Sequence, residues 1–222
     1  AYGHPELLRV AAAINGDDFV PFTEALFIKE PGIGASVAWH RDGTTHWDNP
    51  VFDEGIHGLN FMIQLYGCTS ANGVWVVPGT HKYRTVDIKG MVTRSGSERI
   101  KEAVPMICKP GDVVMSNRQV VHGSFANTSP DWRVTINQGF HRRQSVLNVK
   151  GGGLHGAPAI YDEARVRKRS SIICKAIAAR QQKFPNEKPY LYKPFEGKSE
   201  IFKWDKNAKA DMHDYNLLDF SI

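Results

Sequence analysis

Between about Phe19 and Phe140, apolar residues come in short runs rich in Val, Ile, Phe and Trp, each closed by a turn signal. The runs predict strands over 24–29, 36–40, 58–66, 74–77, 104–108, 112–116, 121–125 and 132–140. Between them stand Pro31-Gly32, Asn72-Gly73, Pro78-Gly79, Ser95-Gly96, Pro110-Gly111 and Ser129-Pro130, all chain-reversal dipeptides. Many short strands at this spacing point to a sandwich or barrel, and eight suit a jelly roll. After Phe140 the pattern changes. Gly151 to Gly153 and Pro158 read as a connection. A helix is expected from Tyr161 to about Phe184, with Ala164, Ile172, Ile173, Ala176 and Ile177 on its apolar face. Asp162 and Glu163 in its first turn and Lys175 and Arg180 toward its end suit the helix dipole. The last forty residues, with Tyr190, Tyr192, Phe195, Phe202, Trp204 and Tyr215 among Lys and Pro, read as a tail wrapped on the domain.

Composition narrows this. The 222 residues suffice for a sizeable core, and 41% apolar with 23% charged residues is ordinary for a globular chain. No apolar run approaches the ~20 residues of a membrane span, and Ala1 to Pro5 is not a signal peptide. An opening at Ala1 without Met suggests a processed, trimmed or excised chain. Cys68, Cys108 and Cys174 form no CxxC pair and suggest no disulfide framework, so a reducing, cytoplasmic compartment is expected. The charge is lopsided: residues 1–140 carry a net −2 and residues 141–222 a net +7. A basic C-terminal third can attract nucleic acid, a membrane surface or an anionic substrate, or be a solvated helical face. No nucleic-acid motif accompanies it, so that reading ranks last.

Candidate chemistry begins at Val37-Ala38-Trp39-His40-Arg41-Asp42. Residues two apart on a strand share a face, so His40 and Asp42 present an imidazole and a carboxylate together. With a second His, such a pair makes the two-histidine, one-carboxylate site of non-haem Fe(II) proteins. His46-Trp47-Asp48 competes at the same spacing, but in a polar, turn-like stretch that holds ligands less well. His122 lies on a predicted strand and is followed, across a turn, by Arg133. Arg133 shares a strand face with Thr135, opposite Trp132, Val134 and Ile136. An inward Arg needs an anion, and its fork grips a carboxylate bidentately; a protein carboxylate or an outward-facing position are the other options. His81 with Arg94 is a rival pair, Arg94 being read in a Ser/Gly loop over 93–97.

Taken in order, His40-x-Asp42, Ala71-Asn72-Gly73-Val74-Trp75-Val76-Val77-Pro78-Gly79-Thr80-His81, Lys109-Pro110-Gly111-Asp112-Val113-Val114 and His122-Gly123-Ser124 with Arg133 resemble the phytanoyl-CoA dioxygenase family. The resemblance spans roughly residues 22–140. It implies a double-stranded β-helix core, jelly-roll and cupin-like and mainly β, with flanking helices. It also implies an Fe(II)- and 2-oxoglutarate-dependent dioxygenase that hydroxylates a small organic or acyl-type substrate and releases succinate and carbon dioxide. His40, Asp42 and His122 are then the iron ligands, and Arg133 the partner of the distal 2-oxoglutarate carboxylate, helped by Thr135 or Ser124. Asn60 and Gln64, with Met62 on one face where the family often has Trp, are further candidates for the cosubstrate. Trp39 and Trp47, with Phe61 and Trp75, are candidate substrate walls or core. His81 is expected outside the ligand set. Asp42 favours hydroxylation, since halogenating relatives carry a small residue there. Only 39 residues precede His40, fewer than the family usually has. The expected division is an oxygenase core over 1–150 and a basic extension of the same domain over 151–222. The alternative reading is a cupin-like metal- or ligand-binding protein without 2-oxoglutarate chemistry.

Overall fold

The computed structural model describes residues 1–42, 58–151 and 159–214. Among these, each of the eight predicted strands is present, within a few residues of its expected bounds. They are β1 (Val20–Lys29), β2 (Val37–His40), β3 (Gly58–Gln64), β4 (Trp75–Val77), β5 (Val104–Pro105), β6 (Val113–Asn117), β7 (Val121–Ser124) and β8 (Arg133–His141). They form two four-stranded sheets, ordered β1-β8-β3-β6 and β2-β7-β4-β5. Apart from β4 and β5, which pair within the second sheet, consecutive strands alternate between the sheets, as in a double-stranded β-helix. Two-residue strands β9 (Lys150–Gly151) and β10 (Ala159–Ile160) pair separately.

The expected helix is α4 (Glu163–Lys183). Asp162 caps it by accepting the Arg165 N–H at 2.8 Å. Its buried face differs from the expected one. Ala164 is exposed, while Val166, Arg169, Ser170 and Cys174 are buried with Ile172, Ile173 and Ile177. Three further helices, which the residue pattern does not place individually, flank the strands: α1 (Pro5–Asn15), α2 (Ile88–Ser95) and α5 (Lys206–Asp214), besides the single turn α3 (Arg143–Val146). Arg94 therefore sits in the last turn of α2, not in a loop. The helix starts because Asp87 accepts the Gly90 N–H, and stops at Gly96, whose φ of 64° suits glycine.

By compactness the chain falls into two units, one gathering Ala1–Thr23 with the chain from Phe140 on, the other Glu24 to Asp42 with Leu59–Gly139. In the first, Val20, Phe22, Val146, Tyr161 and Val166 make an apolar cluster. Arg169 is buried beside it, its guanidinium donating to the Pro21 and Phe22 carbonyls. Part of the tail packs inward: Tyr192 and Phe195 are buried, and the Tyr192 hydroxyl donates to the Phe19 carbonyl, whereas Tyr190, Phe202 and Trp204 are half-buried and Tyr215 lies outside the described residues. In the second unit, Val77, Ile100 and Val121 form a cluster against which Trp39 and the apolar side of α2 pack. Among the described residues no helix is long and apolar enough to cross a membrane.

Candidate metal centre

Strand pairing in the second unit places the candidate ligands. β2 runs antiparallel to β7, with His40 directly opposite His122. Gly123 permits this approach, since a Cβ there would stand 3.0 Å from the Val37 carbonyl oxygen. The two imidazole centroids lie 4.2 Å apart. Asp42 follows just beyond β2, and its N–H donates to the Arg118 carbonyl at 3.2 Å, which turns the chain back to β7. Asp42 Oδ1 then lies 3.5 Å from His40 Nε2 and 3.6 Å from His122 Nε2. One ligand atom from each residue falls within 4.8 Å of the other two.

These distances suit a metal. Donors about 2.1 Å from one ion, at angles between octahedral and tetrahedral, stand roughly 3.0–3.4 Å apart. The tautomers suit it too. His40 Nδ1 lies 2.7 Å from the Ala38 carbonyl oxygen and His122 Nδ1 3.0 Å from that of Val120. Each Nδ1–H donates to its carbonyl, leaving both Nε2 lone pairs facing the carboxylate.

The electrostatics favour an ionised Asp42. Burial alone would raise its pKa, but Arg118 and the two imidazoles outweigh that and hold the carboxyl well below its ordinary range. The bond to Asp42 raises the pKa of His40, whereas burial lowers that of His122. Asp42 Oδ2 is held apart from the centre: Asn60 Nδ2 donates to it at 2.7 Å, and Arg118 Nη1 donates to Asn60 Oδ1 at 2.8 Å.

A second polar chain lies further along β3. Arg133 Nε donates to Thr135 Oγ1 at 3.2 Å, and Thr135 Oγ1 donates to Gln64 Oε1 at 2.7 Å. Asn60, Met62 and Gln64 share one buried face, so the two chains are about 13 Å apart along the strand. Lys29, at the end of β1, donates to Ser124 Oγ at 2.9 Å and to the Phe125 carbonyl at 2.6 Å. Burial and the neighbouring Arg133 charge pull its pKa down to about 8. Arg118, Lys29 and Arg133 are only 2%, 6% and 4% exposed. Lys29 and Arg133 are within electrostatic reach of each other, and among the described residues neither is bonded to a carboxylate, although a buried cation needs an anionic partner.

The structure thus brings His40, Asp42 and His122 together, joins Asn60 to Asp42, and joins Arg133, Thr135 and Gln64. Ser124 shares a strand face with His122 and binds Lys29. Trp39 is not brought to this cluster: it occupies the alternate face of β2, packs against Phe125 at 6.1 Å and donates from Nε1 to the Glu98 carbonyl. Phe61 and Trp75 are buried core. Trp47 and the competing His46/Asp48 pair lie outside the described residues. His81 stands in a 3-10 turn and is not in the cluster. Its neighbour Thr80 is structural, donating to the Val77 carbonyl and accepting the Val121 N–H. Arg94 faces Asp87 at 3.7 Å on the surface. Sequence reasoning missed Arg118 and Lys29. Lys29 carries a related signal, a charge directly following the apolar run Leu26-Phe27-Ile28 on a predicted strand.

A double-stranded β-helix presenting two histidines and one carboxylate at a common point defines a mononuclear metal-site fold. The chain belongs to the phytanoyl-CoA dioxygenase family, whose family model matches residues 2–135. It is 33% identical over 113 residues to Phytanoyl-CoA dioxygenase 1 of Oryza sativa subsp. japonica, covering 46% of this chain and 37% of that protein. The solved structure of EvdMO1 is 35% identical with a TM-score of 0.52, over 62% of this chain and 30% of that one. EctD from S. alaskensis, solved with 2-oxoglutarate and 5-hydroxyectoine, has a TM-score of 0.56 at 21% identity over 72% of this chain and 57% of that one, a likeness of fold alone. The chain spans well under two thirds of the length of each of these proteins.

Proposed function

We propose that the chain carries the metal and cosubstrate site of an Fe(II)- and 2-oxoglutarate-dependent dioxygenase that hydroxylates a small organic or acyl-type substrate, releasing succinate and carbon dioxide. The observation that carries this is the convergence of His40 Nε2, Asp42 Oδ1 and His122 Nε2, with two buried cations in the same unit and, among the described residues, no protein carboxylate bonded to Arg133. Iron held by the three side chains supplies the oxygen activation that couples cosubstrate decarboxylation to C–H hydroxylation.

The chain's own residues do the positioning. The Ala38 and Val120 carbonyls fix both histidine tautomers. Asn60, itself held by Arg118, occupies Asp42 Oδ2, so Oδ1 is the oxygen offered to the centre. Arg133, kept in place by Thr135 and Gln64, grips the distal carboxylate of 2-oxoglutarate, and Lys29 adds a second positive charge beside Ser124. A plain cupin-like binding protein has no need of this cationic end. Asp42 fills the position that a halogenating enzyme leaves to halide. We place the protein in a reducing, cytoplasmic compartment, where its thiols and Fe(II) persist.

The test is succinate release on adding Fe(II) and 2-oxoglutarate. Release is expected from the wild-type chain and absent from His40→Ala and Asp42→Ala. Equal release from all three rejects the reading. Metal binding without any 2-oxoglutarate dependence supports the cupin-like alternative.

A further inference from the structure

Cys68 and Cys108, forty residues apart in the chain, face each other across an isolated antiparallel bridge. Each N–H donates to the other's carbonyl, at 2.9 and 3.0 Å. In a pair of this hydrogen-bonded kind the Cα atoms are about 5.5 Å apart, inside the ~4.4–6.8 Å range that a disulfide spans. The two Sγ atoms are 2.8 Å apart and both thiols are free. The three cysteines are far apart in the sequence and form no CxxC pair, yet two of them meet in the fold. Strand register, which linear spacing does not encode, makes two of them partners.

The turn that follows Cys108 is bonded to the strand that carries Gln64, at the cationic end of the site. Gly111 N–H donates to the Gln64 carbonyl at 2.8 Å, and Gln64 N–H to that of Asp112 at 3.0 Å. Gln64 Oε1 in turn holds Thr135, which holds Arg133. Both sulfurs are within electrostatic reach of the Arg133 guanidinium. Cys68 is buried and Cys108 partly exposed. Burial pushes the Cys68 thiol up to about 12, so Cys108 is the point of entry.

We propose that Cys68 and Cys108 form a thiol–disulfide exchange site that closes reversibly and, in closing, weakens the grip of the Arg133 end on its dicarboxylate. The second half rests on the oxygenase reading above. The co-reactant is a low-molecular-weight disulfide. Cys108 loses its proton and attacks one sulfur of it, forming a mixed disulfide and expelling a thiolate that takes up that proton. Cys68 then attacks Cys108 Sγ, loses its own proton and releases the second thiol. Two protein thiols become one disulfide, and one small disulfide becomes two thiols. Closure draws the sulfurs together by about 0.8 Å, to the ~2.05 Å of a bond. It also removes the thiol hydrogen that Cys68 donates to the Met106 carbonyl at 2.9 Å. The Gln64–Thr135–Arg133 chain described above belongs to the dithiol form.

The experiment equilibrates the chain, without oxygen, in graded mixtures of reduced and oxidised glutathione, followed by acid quench, alkylation and peptide mass analysis. The expected result is loss of two hydrogens, mapped to a Cys68–Cys108 link, reversed by dithiothreitol, retained in Cys174→Ser and abolished in Cys108→Ser. No link at any ratio, or a link that excess dithiothreitol leaves closed, overturns the exchange site. Titration of the Mn(II)-loaded chain with 2-oxoglutarate is expected to show about tenfold weaker binding to the closed form. By reciprocity, saturating 2-oxoglutarate then moves the half-oxidation point by about 30 mV in the oxidising direction. Equal affinity in both forms overturns the coupling. Binding to neither form is a failure of the oxygenase reading, and the mass result still decides the exchange site.

Discussion

Replacing Asn60 by Ala probes how the carboxylate ligand is held. Asn60 donates to Asp42 Oδ2 at 2.7 Å and accepts from Arg118 at 2.8 Å. The substitution deletes both bonds, each to a charged group, where a hydrogen bond contributes about 1.5–3 kcal/mol. Part of this loss falls on the metal-free fold, since Asn60 is buried. The rest falls on the ion: Asp42 becomes free to turn, and both its oxygens compete for the centre. Removing a group that orients a ligand typically lowers metal affinity by about 10–100-fold, or about 1.4–2.7 kcal/mol. The assay is a Mn(II) titration followed by the paramagnetic signal of the free ion, with thermal unfolding of the metal-free chain in parallel. The Kd is expected to rise 10–100-fold. Arg118→Met is expected to act in the same direction, since Arg118 holds Asn60 and supports the Asp42 charge. An Asn60→Ala chain that stays folded and binds Mn(II) within threefold of wild type refutes the reasoning.

Other expectations follow from the same geometry. Arg133→Met should weaken 2-oxoglutarate binding to the Mn(II)-loaded chain by at least thirtyfold, about 2 kcal/mol, and leave Mn(II) affinity within threefold, both read by calorimetry. Lys29 titrates near 8 in the fold, against about 10.5 unfolded. The unfolded chain therefore binds more protons between these values, and ligand-free stability should rise across that window and be lost as pH falls through 8. The gain, on the order of 2 kcal/mol, is checked by denaturant midpoints, and should vanish in Lys29→Met. 2-Oxoglutarate affinity should move oppositely, falling above about pH 8 as Lys29 loses its charge. In Gly73→Ala the new Cβ would meet the Thr69 carbonyl oxygen at 2.6 Å. A cost of about 1–3 kcal/mol, or roughly 3–10 °C in Tm, is expected in a melt.

The strands were legible because turn dipeptides punctuate them and their apolar runs are short. The His40-x-Asp42 spacing and the charge at Arg133 were legible for a similar reason, since strand periodicity places each on a face. What was hidden depends on pairing between distant segments. Arg118 looks like one polar residue in Ser116-Asn117-Arg118-Gln119, and becomes important only because Asp42 hydrogen-bonds back to it. Cys68 and Cys108 are joined by register alone. Trp39 reads as a substrate-wall candidate from its place beside His40, yet it alternates with His40 and so turns to the opposite side. α2 was hidden by Gly90 and by Val92 and Thr93, which are poor helix formers, although Asp87 three residues before Gly90 was an available capping signal. α1 carries Pro5 at its first turn but no side-chain cap, so only its apolar spacing announces it. On α4, Arg169 lies on the buried side, where a charge is read from sequence as solvent-facing.

The most direct test of the account is metal stoichiometry. Equilibrium dialysis against Fe(II) without oxygen, followed by elemental analysis, is expected to give one tightly bound ion per wild-type chain. His40→Ala, Asp42→Ala and His122→Ala are each expected to lose it, while His81→Ala and Arg94→Ala retain it. One ion still bound with undiminished affinity in any of the first three variants would contradict the claim that these side chains form a single metal centre.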